Sequence, residues 1–498
     1  MGTSVKDSFF KGIFWNAIGK YSHQGISFVV SIILSRILFP AEFGMIAMLT
    51  IFTEIAICFI DSGLSVALIQ KKECTNKDFS TVFYFNITVS LIFYLILFFT
   101  APFIAKFYEL PQLTNITRLV ALVFLINSFG TIQSTILKKN LNFKRLNLIS
   151  IIAVAASAIV AITMALNDFG VYSLVGQHIS YAIVSNLLYW FLSDWRPSFT
   201  FSKKSFRELF GFGYKLLFST ILDKIFTNLD SLLIGKIFSA NSLGFYTRAK
   251  TTRSLPINST TGIVNSILLP IFSKIDNDED LATVGLKIYR LFFYIIAPIM
   301  VGLIVTAEPL IITLFSDRWL PSAPWTQIIC ISGVTAPLSV ILCQLILTKG
   351  KSGIFLKLEI IKKILILLAM IIGLYFGINE FLWGSVIASY ISLYLNLIYA
   401  AKALKTIKKA KFINTLLPSL AISIIMGICV FGINYLQIET VWIKLLVMVI
   451  SGMLVYILFS KLFKLWEYVY IKQFIIDKFR NIKNIKQKKI EINFYKKR

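Results

Sequence analysis

The chain has 498 residues, of which 57% are hydrophobic and 15% charged, and it carries a formal net charge of +26. A mean hydropathy of +0.78 excludes an ordinary soluble domain. The basic excess invites a nucleic-acid reading, but no aromatic-basic recognition module accompanies it, and the charge reads better as membrane topology.

Fourteen runs of roughly 20 or more mostly apolar residues follow one another along the chain, each long enough to cross a ~30 Å hydrocarbon core as a helix. They lie at about 9–37, 41–69, 81–105, 114–137, 146–167, 170–192, 209–238, 243–272, 284–315, 324–348, 354–377, 381–402, 413–436 and 441–463. Connectors 70–80, 138–145, 193–208, 273–283, 349–353 and 403–412 hold 3, 4, 4, 1, 2 and 4 Lys/Arg, whereas the alternate connectors hold only Lys106 and Arg318. By the positive-inside rule both termini are cytoplasmic. Residues 461–498 carry twelve Lys/Arg against three Asp/Glu, a tail suited to anionic lipid headgroups. Trp319, Trp325, Trp383 and Trp442 fall near outer ends of spans and Trp190, Trp195 and Trp466 near inner ones, the positions of an aromatic belt.

Several chemistries find no support. Cys58, Cys74, Cys330, Cys343 and Cys429 are scattered without a Cys-x-x-Cys, and His23 and His178 are too few for a histidine-based metal cluster. There is no Gly-rich phosphate loop, G-x-S-x-G or H-E-x-x-H. The longest connector has only about sixteen residues, too little for the catalytic loops of a membrane glycosyltransferase, polymerase or ligase. The reading is a transporter rather than an enzyme, with no cofactor and no nucleic-acid partner.

Residues 31–45, SIILSRILFPAEFGM, echo residues 231–245, SLLIGKIFSANSLGF, at an offset of two hundred. Ser31/Ser231, Ile37/Ile237 and Gly44/Gly244 are identical, and Arg36/Lys236 keeps its charge. Because an even number of spans returns the chain to the same side, two repeats of six would be parallel copies about an axis along the membrane normal. The expected fold is therefore all-α and polytopic, with fourteen transmembrane helices. Residues 1–195 form one six-helix lobe and 196–405 its counterpart, spans 13 and 14 occupy 406–465, and 466–498 is the basic tail.

Charge inside a membrane costs at least ~2.5 kcal/mol per residue and should face protein or water. Span 1 carries Lys20, His23 and Ser27 on one face, and span 2 carries Glu54, Cys58 and Asp61. Span 7 carries Ser219, Asp223, Thr227 and Asp230, with Lys224 beside them; span 8 carries Tyr246, Lys250 and Arg253, with Arg248 offset. Lys20, His23, Arg36, Lys224, Lys236, Arg248, Lys250 and Arg253 are the candidate lining of an inter-lobe cavity suited to a multiply charged anion such as diphosphate. Glu54, Asp61, Asp223 and Asp230 are the candidates for taking up H⁺ or Na⁺ if transport is ion-coupled. The plainer alternative for Arg36, Lys236 and Arg248 is snorkelling at the outer boundary, and for Asp223 a structural pairing with Lys224 or Lys20.

The segments Leu34-Ser35-Arg36-Ile37-Leu38-Phe39-Pro40-Ala41-Glu42-Phe43-Gly44, Asp61-Ser62-Gly63-Leu64 and Leu137-Lys138-Lys139-Asn140 resemble the polysaccharide transport family. So do Asn228-Leu229-Asp230-Ser231, Leu243-Gly244-Phe245-Tyr246-Thr247-Arg248 and Leu269-Pro270-Ile271-Phe272. These are the Wzx-type flippases of the multidrug/oligosaccharidyl-lipid/polysaccharide exporter superfamily. The resemblance implies a bacterial inner-membrane protein that moves a polyprenyl-diphosphate-linked oligosaccharide outward by alternating access, with other polysaccharide assembly proteins as partners and a monomer as the favoured state. It also implies an apolar groove for the lipid tail at spans 13 and 14. A multidrug cation exporter and a peptidoglycan-precursor flippase of the same superfamily are the alternatives. Acids and aromatics should dominate the cavity of the first, and the second would differ only in cargo.

Overall fold

The computed structural model describes residues 3–61 and 63–477, without the side chains of 3–18, 215, 216, 263, 265 and 266. Every regular element among them is helical, as expected of a chain whose backbone must satisfy its own hydrogen bonds in lipid. The helices sort into two compact units. The first takes the described residues up to Thr247 together with Leu314–Trp319, and the second takes Arg248–Thr313 and the described residues from Leu320 onward.

The first unit contains α1 (Thr3–Ile37), α2 (Pro40–Asp61), α3 (Leu64–Gln70), α4 (Asn76–Tyr108), α5 (Leu113–Ser128), α6 (Thr131–Lys139), α7 (Phe143–Leu166), α8 (Val171–Leu192), α9 (Lys203–Ile237) and the start of α10 (Ala240–Phe272). Here α7 packs between α1 and α8, α5 lies against α4 and α8, and α9 runs along α2, α3 and α4. The second unit holds the rest of α10, then α11 (Asp278–Val305), α12 (Ala307–Phe315) up to Thr313, α13 (Ser322–Ile331), α14 (Thr335–Thr348), α15 (Ser352–Phe376), α16 (Ile378–Ala403), α17 (Lys409–Asn414), α18 (Leu417–Gly432) and α19 (Val441–Leu462). Its larger core joins Phe272, Leu286, Phe293, Leu338, Leu342, Leu345 and Leu397; a second core sets Tyr294 of α11 against Met426 of α18 and Met448 and Tyr456 of α19.

Among the described residues nine helical stretches are long and apolar enough to cross a membrane, or ten if α5 and α6, bent by 47°, act as one. Four more helices, α1, α8, α9 and α15, have the length, at 35, 22, 35 and 25 residues. Their interiors are more polar, with Lys20 and His23 in α1, His178 and Asn186 in α8, Asp223, Lys224 and Asp230 in α9, and Glu359, Lys362 and Lys363 in α15. The apolar surface thus supports nine or ten crossings, and fourteen requires these polar helices to cross too. Most of the expected basic tail, residues 478–498, lies outside the described residues.

Expected spans 41–69 and 284–315 contain an internal helix break, although Pro40–Gln70 is still long and apolar enough to serve as one crossing. The run 41–69 divides into α2 and α3 at Gly63, whose φ of +68° is strained for any residue with a side chain. A Cβ there would also stand 2.7 Å from the Gly213 carbonyl oxygen of α9, so glycine serves both the turn and the close approach. The run 284–315 divides likewise into α11 and α12 around Thr306.

The start of α4 is set by chemistry that the hydropathy pattern hides. The Thr75 hydroxyl accepts the Asp78 N–H at 3.3 Å while Asp78 accepts the Thr75 N–H at 2.9 Å, a capping box. Asp78 is 2% exposed and also accepts from Lys71 at 3.3 Å, and Lys71 reaches Glu208 of α9 at 3.2 Å. Burial pushes the Asp78 carboxyl up, but the Thr75 N–H and hydroxyl, Ser205 and Lys71 more than reverse it and hold it below the usual carboxylate range. The stability contributed by the ionised group is therefore present at neutral pH and lost as pH falls through that depressed value. Asp78→Ala should cost about 1–2 kcal/mol by thermal melting in detergent at pH 7, and the deficit should shrink on acidification.

Candidate functional site

The two echoed segments fold alike. α1 ends at Ile37 and α9 at Ile237, and α2 begins at Pro40 and α10 at Ala240, so both helix breaks keep the two-hundred-residue offset. The caps differ. In the first copy the Glu42 carboxylate accepts the Phe39 N–H at 2.7 Å; in the second the Ser239 hydroxyl accepts the Ser242 N–H at 3.0 Å.

The starts of α2 and α10 meet face to face. A Cβ on Gly44 would overlap the carbonyl oxygen of Ala240 and stand 2.7 Å from its carbon. A Cβ on Gly244 would overlap the carbonyl oxygen of Pro40 and again stand 2.7 Å from its carbon. Pro40 and Ala240 are themselves two hundred residues apart, so each glycine meets the residue that opens the other helix. Small residues at such a crossing let two helix backbones approach without side-chain spacers.

Along α2 and α9 the charged stripes face one another. Glu54 Oε2 and Lys224 Nζ are 2.7 Å apart, each about one-third exposed. Asp61 and Asp223 lie within electrostatic reach of the same Cys58 thiol as this pair. Among the described residues, Glu54, Asp61, Asp223 and Lys224 thus share the surroundings of one thiol on the α2–α9 seam. Farther along α9 the Asp230 carboxylate is 5% exposed. It accepts the Tyr246 hydroxyl at 2.5 Å and the Ser231 N–H at 2.7 Å. That bond ties the last turns of α9 to the first turns of α10.

The remaining candidates are dispersed. Lys20 is exposed, and His23 sits edge-on to the Tyr181 ring at 6.1 Å. Arg36 donates through Nε to the Leu314 carbonyl at 3.1 Å. Lys236 does not join the α2–α9 seam: it pairs with Glu109 at 2.9 Å and stands over the Phe107 ring. Glu109 is 80% exposed, and the lysine beside it holds its carboxyl below the usual range. In the second unit Arg248 is buried, and Lys250 and Arg253 are half-buried, with Arg253 in electrostatic reach of Cys330.

Two participants escaped the sequence reading. Glu109 follows a helix C-terminus and carried no motif. Trp319 was expected in an aromatic belt but is fully buried. Its indole N–H donates to the Ser35 carbonyl at 2.8 Å, and its ring meets Phe43 edge-on at 5.3 Å. Trp325, Trp383 and Trp442 keep partial or full exposure.

Comparison with known proteins adds to this geometry. Residues 33–324 match the family described as polysaccharide biosynthesis protein. The chain is 26% identical over 436 residues to the teichuronic acid biosynthesis protein TuaB of Bacillus subtilis (strain 168), covering 86% of this chain and 90% of that one. It is 26% identical to the succinoglycan biosynthesis transport protein ExoT of Rhizobium meliloti (strain 1021), covering 66% and 67%. Among solved structures it resembles the lipid II flippase MurJ in an inward closed conformation, with a TM-score of 0.74 at 17% identity over 90% of this chain and 98% of that one.

Proposed function

The chain belongs to the polysaccharide biosynthesis protein family, and from that membership we infer that it is a multi-pass membrane flippase of polysaccharide biosynthesis, working by alternating access. Its cargo is a polyprenyl-diphosphate-linked oligosaccharide, carried from the cytoplasmic to the outer leaflet of a bacterial inner membrane. Both termini are cytoplasmic, all fourteen apolar runs cross, and residues 1–195 and 196–405 act as two lobes, with 406–465 as an appended pair for the lipid tail. Transport requires no covalent chemistry, and the cargo's diphosphate is the group that Arg36, Arg248, Lys250 and Arg253 would attract.

The observation that carries this reading is the reciprocal crossing of Gly44 and Gly244. Helices that shift against one another need a place where backbones touch closely, and this crossing, which lies within the first compact unit, supports that role. The α2–α9 seam adds titratable carboxylates inside a membrane, the usual mark of ion coupling, with Glu54, Asp61 and Asp223 as H⁺ or Na⁺ acceptors.

Deleting the gene should leave lipid-linked glycan accumulated on the inner leaflet, and the intact gene should restore its export. In that background Lys224→Ala or Glu54→Ala should each lower export by about tenfold, ~1.4 kcal/mol on the transport step, with membrane abundance unchanged. The swapped pair Glu54→Lys/Lys224→Glu should recover part of the loss. Full export in every variant would remove the seam from the mechanism. Carboxylates such as Glu54, Asp61 and Asp223 are features that a multidrug cation exporter would also use. Drug resistance that rises on overexpression, with surface glycan unaffected by deletion, would establish that reading instead.

A further inference from the structure

On the basic-connector face of the second unit, a cleft of about 420 Å³ lies between the first turns of α11 and the connector 403–412. Three lysines, Lys405, Lys408 and Lys411, line it against a single carboxylate, Glu279. Their convergence follows from packing. Leu404, Ile407 and Phe412 are buried in the core, so the lysines next to or one residue from them turn outward. Phe412 meets the Tyr289 ring at 5.3 Å, and the Thr406 hydroxyl donates to the Asp278 carbonyl at 3.1 Å, which pins the connector to α11. Asp278 is itself paired with Lys349, leaving Glu279 as the acid that faces the cleft.

We propose that this cleft binds the headgroup of an anionic phospholipid. Three ammonium groups match a phosphodiester, and the methylene stems of the exposed Lys405, Lys408 and Lys411 give the walls apolar surface for the glycerol and first methylenes. A free phosphate would gain nothing from those walls. The site also stands at the ends of α11 and α16, the level at which headgroups lie beside spanning helices. The first unit carries a more open cleft of about 590 Å³ on its own sixth-to-seventh-span connector, lined by Lys203, Lys204, Arg207 and Glu208. The same balance of three cations to one acid thus recurs on connectors that precede spans 7 and 13.

The proposal rests on the functional reading only in taking this face as the one that meets the anionic leaflet. A test in symmetric nanodiscs does not depend on orientation, so failure here would leave the flippase reading standing. Full-length protein and the variant Lys405→Gln/Lys408→Gln/Lys411→Gln would be titrated with phosphatidylglycerol and phosphatidylcholine, and lipid retention read by native mass spectrometry. Inorganic phosphate would be the third ligand, read by melting temperature. The variant should melt at the same temperature without added lipid, because the buried anchors are untouched. It should retain phosphatidylglycerol at least fivefold more weakly, with phosphatidylcholine unchanged. Basic residues elsewhere are common to both proteins, so the difference isolates the cleft. Equal phosphatidylglycerol retention by both proteins would overturn the proposal. So would stabilisation by inorganic phosphate that the variant loses.

Discussion

Gly44→Ala and Gly244→Ala should each destabilise the protein by about 2–3 kcal/mol and collapse glycan export, while the double variant should cost far less than their sum. Overpacking by one methyl usually costs about 1–3 kcal/mol, and the upper end applies because the obstacle is backbone. The added Cβ at either position overlaps a carbonyl oxygen, Ala240 in one case and Pro40 in the other, with no flexible side chain that could swing away. Either substitution must push the same two helix starts apart. Once they are apart, the second methyl meets relaxed structure, and the two changes couple. Gly25→Ala is the control: a Cβ there has nothing within 4 Å, so it should be neutral or stabilising by up to about 1 kcal/mol through helix propensity. Melting temperatures of the four proteins in one detergent decide the matter. Additive losses would show that the glycines do not share one crossing.

The two segments that cross were marked in the sequence by a shared basic residue and glycine at an offset of two hundred, but that they touch depends on helix packing. Hydropathy also marked the membrane class, since summed apolarity survives local irregularity. Summing hides interruptions for the same reason. A window across 41–69 reads as one span, and Pro40–Gln70 is one, but the window does not show the left-handed turn at Gly63 near its end. The stripe geometry on α2 and α9 placed Glu54, Asp61, Asp223 and Lys224 on related faces, but which charges would meet depends on how two helices pack. Lys236 shows the limit. Its partner Glu109 lies 127 residues away, and no periodicity within either helix could join them. The buried Asp230–Tyr246 bond lies between these cases, because both residues stood out in the polar stripes of spans 7 and 8 but the bond needs the turn between α9 and α10 to fold back.

Trp319→Ala should be the most damaging single truncation, at about 3–5 kcal/mol, and Trp319→Phe should cost about 1–3 kcal/mol. The side chain is fully buried, and its ring is surrounded edge-on or tilted by Phe43, Phe245 and Phe315. Removing it leaves a cavity whose aromatic walls are anchored in separate helices and cannot collapse together. The polar contacts of this segment lie at the C-terminus of α1, where the last four carbonyls lack intrahelical donors. The Trp319 indole satisfies Ser35, and Arg318 reaches the Ile37 carbonyl at 3.4 Å while its guanidinium covers the Phe39 ring at 4.5 Å. Arg36 completes the fastening by donating to the Leu314 carbonyl. This set explains why Leu314–Trp319 belongs to the first unit although the chain on either side of it belongs to the second. Phenylalanine keeps most of the apolar contact but loses the indole donor, so its loss against the parent protein reports the hydrogen bond to Ser35, and the further loss in Trp319→Ala reports the buried ring. Arg318→Ala should cost under about 1 kcal/mol, because its bond is long and exposed. Equal melting temperatures for Trp319→Ala and Arg318→Ala would mean that the buried indole is not what holds this segment in place.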